Sequence, residues 1–143
     1  MVGAVLIVSW VVVLYSVWYM AYDPYLGYFM ALIQGFVFFM LCLLLADSIP
    51  LMFLGWEGIG VLSFFLISFW QTRTSAVQAS MQGFITNRAG DMAFMLTLVL
   101  ILGSLATVGL DSVTGLDVKP RSLVSYLLLA GAAGKSAQLG LHA

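Results

Sequence analysis

Apolar runs of about membrane length follow one another along almost the whole chain, and this pattern limits the possible folds more than any other feature. A transmembrane helix needs about 20 mostly apolar residues. The chain is 63% hydrophobic and only 8% charged, whereas a soluble domain has roughly 25% charged residues, so a water-soluble globule is excluded. The sequence predicts an all-α, polytopic membrane protein with about five transmembrane helices in a single membrane domain, at residues 3–22, 28–46, 50–70, 77–110 and 122–143.

Short polar turns separate the predicted spans. Asp23 ends the first helix because the proline that follows it disfavours helical geometry. Pro50 follows a very short turn, so the second and third spans are expected to be antiparallel neighbours. Residues 74–110 contain no decisive helix breaker and would form a helix of roughly 55 Å. Because a hydrocarbon core is only about 30 Å thick, we expect residues 75–82 to be interfacial or packed against other protein.

Charge and motif content narrow the possible partners. The net charge is −1 and no basic run occurs, so we expect contact with the lipid bilayer and none with nucleic acid. The single cysteine, Cys42, lies in an apolar run and cannot form an internal disulfide. No CxxC, HExxH, P-loop or GxGxxG motif is present, so we expect no metal and no cofactor-binding site in this chain.

Charged side chains nevertheless lie inside or at the edge of the predicted spans: Glu57, Arg88, Asp91 and Lys135. A charge at the bilayer centre costs about 2.5–3.5 kcal/mol on insertion scales. A chain this apolar could have avoided that cost. Ionisable residues inside a membrane most often belong to an ion path or a proton relay.

The first three charges each have a functional and a structural interpretation. Glu57 is surrounded by Gly55, Gly58 and Gly60, which would let a neighbouring helix or a water molecule come close. Arg88 and its neighbour three residues later share a helix face. The structural alternatives are a carboxylate hydrogen-bonded to a neighbour and an ordinary interfacial ion pair.

Lys135 belongs to a polar stripe on one face of the last predicted helix, together with Gly131, Gln138 and His142. A polar stripe through an apolar helix is what a water-supported proton path requires. A lysine in apolar surroundings gives up its proton readily, and an imidazole titrates near neutral pH. The alternatives are a lysine permanently paired with a carboxylate and a solvated histidine. The candidate proton-relay residues are therefore Lys135, Glu57, His142, Asp91 and Arg88.

Four sequence blocks occur here in one order and resemble a known family. The resemblance is to the subunit 5 family of the proton-pumping NADH:ubiquinone oxidoreductase, respiratory complex I, which is similar to the large subunit of Mrp-type cation/proton antiporters. The blocks are Tyr22-Asp23-Pro24-Tyr25, Gly55-Trp56-Glu57-Gly58-Ile59-Gly60, Asn87-Arg88-Ala89-Gly90-Asp91 and Gly134-Lys135-Ser136-Ala137-Gln138.

The resemblance implies part of an antiporter-like helical bundle in the membrane arm of that enzyme. It implies an enzyme subunit that moves protons while quinone is reduced elsewhere in the complex. NAD, FMN, iron–sulfur clusters and ubiquinone would then be bound by other subunits. One alternative is a subunit of a Mrp-type sodium/proton antiporter without NADH chemistry. Another is a purely structural fragment whose charges lock helices together.

The resemblance also implies roles for individual residues. Glu57 matches a membrane glutamate that modulates the charge of a central lysine, and Lys135 matches that lysine, on a helix that is interrupted in the family. Arg88 and Asp91 match an Arg/Asp pair on the intervening helix, and His142 matches a histidine that passes the proton onward. In this scheme Glu57 close to Lys135 favours the ammonium, and separation of the pair releases a proton. The Lys135→Met substitution is then expected to abolish pumping and leave assembly intact.

The sequence departs from the family in two ways. Gly140 stands where the family usually has proline, so the helix break there would be softer or shifted. The family also has two helices before the first span and many after the last one, so the chain would be incomplete at both ends. We therefore expect it to associate with other membrane-arm subunits of complex I and with a separate chain carrying the rest of subunit 5. The expected location is the mitochondrial inner membrane, with a bacterial plasma membrane as the alternative.

Overall fold

Five α-helices make up the described part of the computed structural model, which covers residues 1–105 and 118–136. The predicted all-α fold is confirmed. The helices are α1 (Val2–Tyr19), α2 (Leu26–Leu44), α3 (Ile49–Ile67), α4 (Thr74–Leu105) and α5 (Val118–Lys135).

Four of these helices, α1 to α4, are long and apolar enough to cross a membrane. The chain is therefore a multi-pass membrane protein. The described part of α5 carries Lys119, Arg121 and Lys135 and is not one of the four. The fifth membrane span stays a prediction.

Helices α4 and α5 begin a few residues before the corresponding expected spans. Helix α4 begins at Thr74 and continues for 32 residues without a break, a length of about 48 Å. Helix α5 begins at Val118, ahead of the expected start at residue 122. Pro120 falls in its first turn, where a missing N–H breaks no helical hydrogen bond. The ends of the fourth and fifth predicted spans, residues 106–110 and 137–143, lie outside the described residues.

The turn between α2 and α3 reverses the chain as predicted. Ser48 has an extended backbone (φ −131°, ψ 148°), and Pro50 lies in the first turn of α3. Gly35, in the first half of α2, faces Leu62, in the second half of α3. Leu43, near the end of α2, faces Gly55, in the first half of α3. The two helices are therefore antiparallel neighbours.

Helix α3 is the central element of the described part. It packs against α2 on one side and α4 on the other, while α5 packs on α4 and α1 on α2. A cluster of buried apolar side chains lies where α3, α4 and α5 meet, and these three helices also carry the predicted charged residues. This cluster consists of Ile49, Phe94, Ile101 and Val124.

Candidate functional site

Glycines of α3 allow close helix packing around Glu57, as predicted from their spacing. A Cβ atom at Gly55 would lie 2.7 Å from the backbone nitrogen of Leu43, so the backbones of α2 and α3 are in contact there. Gly58 faces a phenylalanine ring of α2, and Gly60 faces the opposite neighbour, α5. The glycines thus let helices approach on two sides of the turn that carries Glu57.

Arg88 of α4 is shared between two carboxylates. Its Nη1 atom forms an ion pair and a hydrogen bond with Glu57 of α3. The same nitrogen lies 3.7 Å from Oδ2 of Asp91, one turn along α4. The predicted pair of Arg88 with Asp91 is confirmed, but Glu57 is the closer partner. The guanidinium also lies 4.7 Å from the ring centroid of Phe84, within the range of a cation–π interaction.

Lys135 contacts the residue next to Glu57 rather than its carboxylate. The Nζ atom donates a hydrogen bond of 2.8 Å to the backbone carbonyl of Trp56 and lies 5.0 Å from the centroid of the indole ring. Both ion pairs around Glu57 and Asp91 are made by Arg88. The register of α3 against α4 sets Glu57 opposite the guanidinium of Arg88, while Lys135 is held by Trp56.

Among the charged residues whose exposure the structure describes, Asp91 is the most buried, with 7% of its surface exposed. Its Oδ1 atom accepts a hydrogen bond of 2.6 Å from the indole Nε1–H of Trp56. Trp56 therefore touches both Asp91 and Lys135. Sequence reasoning assigned it no role of its own. The available signal was a tryptophan deep inside a span rather than at its interface, because a buried indole N–H needs an acceptor.

The crossing of α4 and α5 sets the position of Lys135. A Cβ atom at Gly90 would lie 3.2 Å from the carbonyl oxygen of Gly131 and 3.2 Å from the Cα atom of Gly134. Helices that approach so closely need small residues at the contact. Gly131 and Lys135 share the helix face predicted for the polar stripe, and that face lies against α4 and α3. The glycines thus bring the lysine within reach of Trp56.

These contacts join five residues into a continuous group, which we call the charge cluster: Trp56, Glu57, Arg88, Asp91 and Lys135. It holds two carboxylates and two cations, so its formal charges sum to zero. Side-chain exposure is 20% for Glu57, 10% for Asp91 and 41% for Arg88. Opposite charges that contact one another offset part of the cost of leaving water. Asp91, Glu57 and Arg88 are also close enough to Lys135 to interact with it electrostatically.

The remaining predicted site residue, His142, lies outside the described residues, as do Gln138 and Gly140. The structure therefore describes the cluster up to Lys135. A group of this kind can store charge, hold a proton on the lysine nitrogen and change the partner of its guanidinium.

Comparison with known proteins places the chain in a family. Chain 5 of NADH-ubiquinone oxidoreductase from Pongo pygmaeus is 43% identical over 137 residues, which are 96% of this chain and 23% of the relative. The chain 5 protein of Allomyces macrogynus is 45% identical over 94% of this chain and 22% of its own length. That of Neurospora crassa is 41% identical over 96% of this chain and 20% of its own length.

The chain thus spans about a fifth to a quarter of the length of these curated relatives. A family profile described as NADH:quinone oxidoreductase/Mrp antiporter, TM, matches residues 46–143, which include every residue of the charge cluster. The chain belongs to the NADH:quinone oxidoreductase/Mrp antiporter transmembrane family.

Proposed function

We propose that the chain is part of a proton-translocating membrane-arm subunit of a respiratory NADH:ubiquinone oxidoreductase. The observation that carries the proposal is the charge cluster, in which the ion pairs of Arg88 and the contacts of Trp56 link four ionisable side chains of α3, α4 and α5. Charged residues at such positions are expensive in a membrane, and their usual role is in ion or proton movement. The names of the similar chain 5 proteins support the same assignment.

Lys135 is the proton carrier in this proposal. Its nitrogen is held by a neutral carbonyl acceptor and an indole face, and both groups can accommodate an ammonium. Neither group is a permanent counter-ion. The alternative of a lysine locked to one carboxylate is therefore not supported by its direct contacts among the described residues.

Arg88 is the switching group. While it is paired with Glu57, the charge of that carboxylate is balanced within the pair. Asp91 already lies 3.7 Å from the same nitrogen, so a small movement of the guanidinium toward Asp91 would free Glu57. A free carboxylate near Lys135 stabilises the ammonium, and return of Arg88 to Glu57 favours release of the proton.

His142 takes the released proton onward in this scheme, along the helix face that the sequence spacing predicts for it and Lys135. The redox chemistry belongs to other subunits, which would bind NAD, FMN, iron–sulfur clusters and ubiquinone. Quinone reduction there would drive the movement of Arg88.

The proposed partners are other membrane-arm subunits of complex I and a separate chain that carries the rest of subunit 5. The proposed location is the mitochondrial inner membrane. Both rest on the similarity of this chain to the chain 5 proteins of eukaryotic organisms.

Native electrophoresis of gently solubilised membranes tests the assignment. We expect the chain to migrate in a very large assembly with NADH-oxidising activity, and mass spectrometry of that band to find another chain with the rest of the subunit. Migration in a smaller assembly without flavin or iron–sulfur subunits, together with sodium-dependent transport, would instead select a Mrp-type antiporter.

A further inference from the structure

Trp56 is in contact with two charged residues of opposite sign through different groups. Its indole Nε1–H donates to Asp91 at 2.6 Å. The face of the same ring lies 5.0 Å from Nζ of Lys135, which also donates to the Trp56 carbonyl at 2.8 Å. The indole thus lies between the buried carboxylate of α4 and the lysine of α5.

The ring has little freedom to move independently of these contacts. It packs against the ring of Phe94, with centroids 5.6 Å apart and planes inclined by 34°. Phe94 is itself 3% exposed and belongs to the apolar cluster between the three helices. An indole is rigid, so its N–H and its face move as one body. A displacement of Asp91 would therefore shift the surface on which the Lys135 nitrogen rests.

We infer that Trp56 is a positioning residue that transmits the movement of Asp91 to Lys135. This inference rests on the proposed function of the charge cluster. When Arg88 moves toward Asp91, the carboxylate gains a second strong partner and its hydrogen bond to the indole changes. The indole then alters the cation–π contact of Lys135, which depends on the position of the ring relative to the nitrogen. Trp56 thus transmits the movement through its contacts with Asp91 and Lys135. This effect adds to the direct electrostatic interaction of Lys135 with Arg88 and Glu57.

The Trp56→Phe substitution isolates the hydrogen-bonding role. Phenylalanine keeps an aromatic face and leaves the backbone carbonyl in place, but it has no N–H for Asp91. Proton translocation at a fixed rate of NADH oxidation is measured as a function of pH in membranes that hold the assembled complex. We expect the midpoint of the pH profile to move by about one pH unit. A hydrogen bond to a charged group changes a protonation equilibrium constant by about tenfold or more.

A double-variant comparison separates coupling from a general structural effect. If Trp56 acts through Asp91, the Trp56→Phe change shifts the profile by much less in an Asp91→Asn background than in the unmodified one. A merely structural role would lower the amplitude and leave the midpoint in place. The matched control is Trp70→Phe. Trp70 lies after the end of α3, away from the charge cluster, and its substitution is expected to leave the pH profile unchanged.

The outcomes distinguish this inference from the function on which it rests. If Lys135→Met abolishes translocation while Trp56→Phe keeps the unmodified profile, the coupling role of Trp56 is wrong and the proposed function stands. If Lys135→Met has no effect, the proposed function itself is contradicted. Should Trp56→Phe fail to assemble, Trp56→Leu, which also has no donor for Asp91, is compared with and without Asp91→Asn, and an equal shift of the midpoint in both backgrounds would show that the coupling is wrong.

Discussion

Lys135 of α5 donates a hydrogen bond of 2.8 Å to the backbone carbonyl of Trp56 in α3, 79 residues earlier in the chain. Because the acceptor is a backbone atom, no side-chain substitution at residue 56 removes it. The contact depends instead on how closely α5 approaches α3, and that approach is set by the crossing of α4 and α5. Packing of small residues and the position of the charged lysine are therefore linked.

Substitution of Gly90 by alanine is expected to weaken the α4–α5 crossing. The new Cβ atom would lie 3.2 Å from backbone atoms of both Gly131 and Gly134, and backbone atoms cannot move aside as a flexible side chain can. Overpacking of this kind costs about 1–3 kcal/mol. We expect a lower thermal unfolding temperature of the purified assembly, together with slower proton translocation, because Lys135 is displaced from Trp56.

Gly83→Ala on the same helix is the matched control. A Cβ atom there meets nothing within 4 Å, and alanine in a helix is favoured over glycine by about 0.5–1 kcal/mol. Its unfolding temperature should be unchanged or slightly higher. Equal losses of stability in the two variants would contradict the close crossing.

The contact of α2 with α3 gives a second packing prediction. A Cβ atom at Gly55 would lie 2.7 Å from the backbone nitrogen of Leu43, closer than real Cβ contacts, so Gly55→Ala forces the two helices apart. We expect the free energy of unfolding to fall by about 3 kcal/mol or more, at the upper end for overpacking. The change is measured as a reduced amount of assembled protein and a lower unfolding temperature. Gly27→Ala in α2, with open space around the new atom, should behave like the unmodified protein.

Neutralising Arg88 alone should be more damaging than neutralising it together with Glu57. The Arg88→Met variant leaves two carboxylates beside each other without their shared cation. Because the Arg88 side chain is 41% exposed, the cost should be below the roughly 3 kcal/mol of breaking a fully buried pair. Adding Glu57→Gln removes one of the unpaired charges, so the double variant should recover part of the lost stability. Thermal unfolding of the single and double variants measures this coupling. Strictly additive losses would show that the Arg88–Glu57 contact contributes nothing to stability.

The sequence was most informative where a local pattern determines the structure. The apolar runs predicted the helices, and Asp23 and Pro50 marked turns because their effects act on the neighbouring backbone. The spacing of Arg88 and Asp91 predicted their shared face for the same reason. Helix α5 begins at Val118, before the predicted span, because a helix can begin in polar residues that do not belong to a membrane span.

Contacts between helices were harder to predict. The sequence did not predict that Glu57 pairs with Arg88, or that its neighbour Trp56 receives the lysine. Which of two adjacent residues meets a given partner depends on helix register and rotation, and these are set by glycine contacts far apart in the chain. Only the three-dimensional packing of Gly90 against α5 shows how near Lys135 comes to α3.

Proton translocation by the Lys135→Met variant tests the central claim most directly. Methionine keeps the length and apolar stem of lysine but carries no proton, so we expect proton translocation to be abolished while the complex assembles and keeps NADH-oxidising activity. The measurement is the acidification that accompanies NADH oxidation in sealed vesicles, normalised to the amount of assembled complex. Translocation equal to that of the unmodified protein would show that Lys135 is not the proton carrier, and the account of the charge cluster would be wrong.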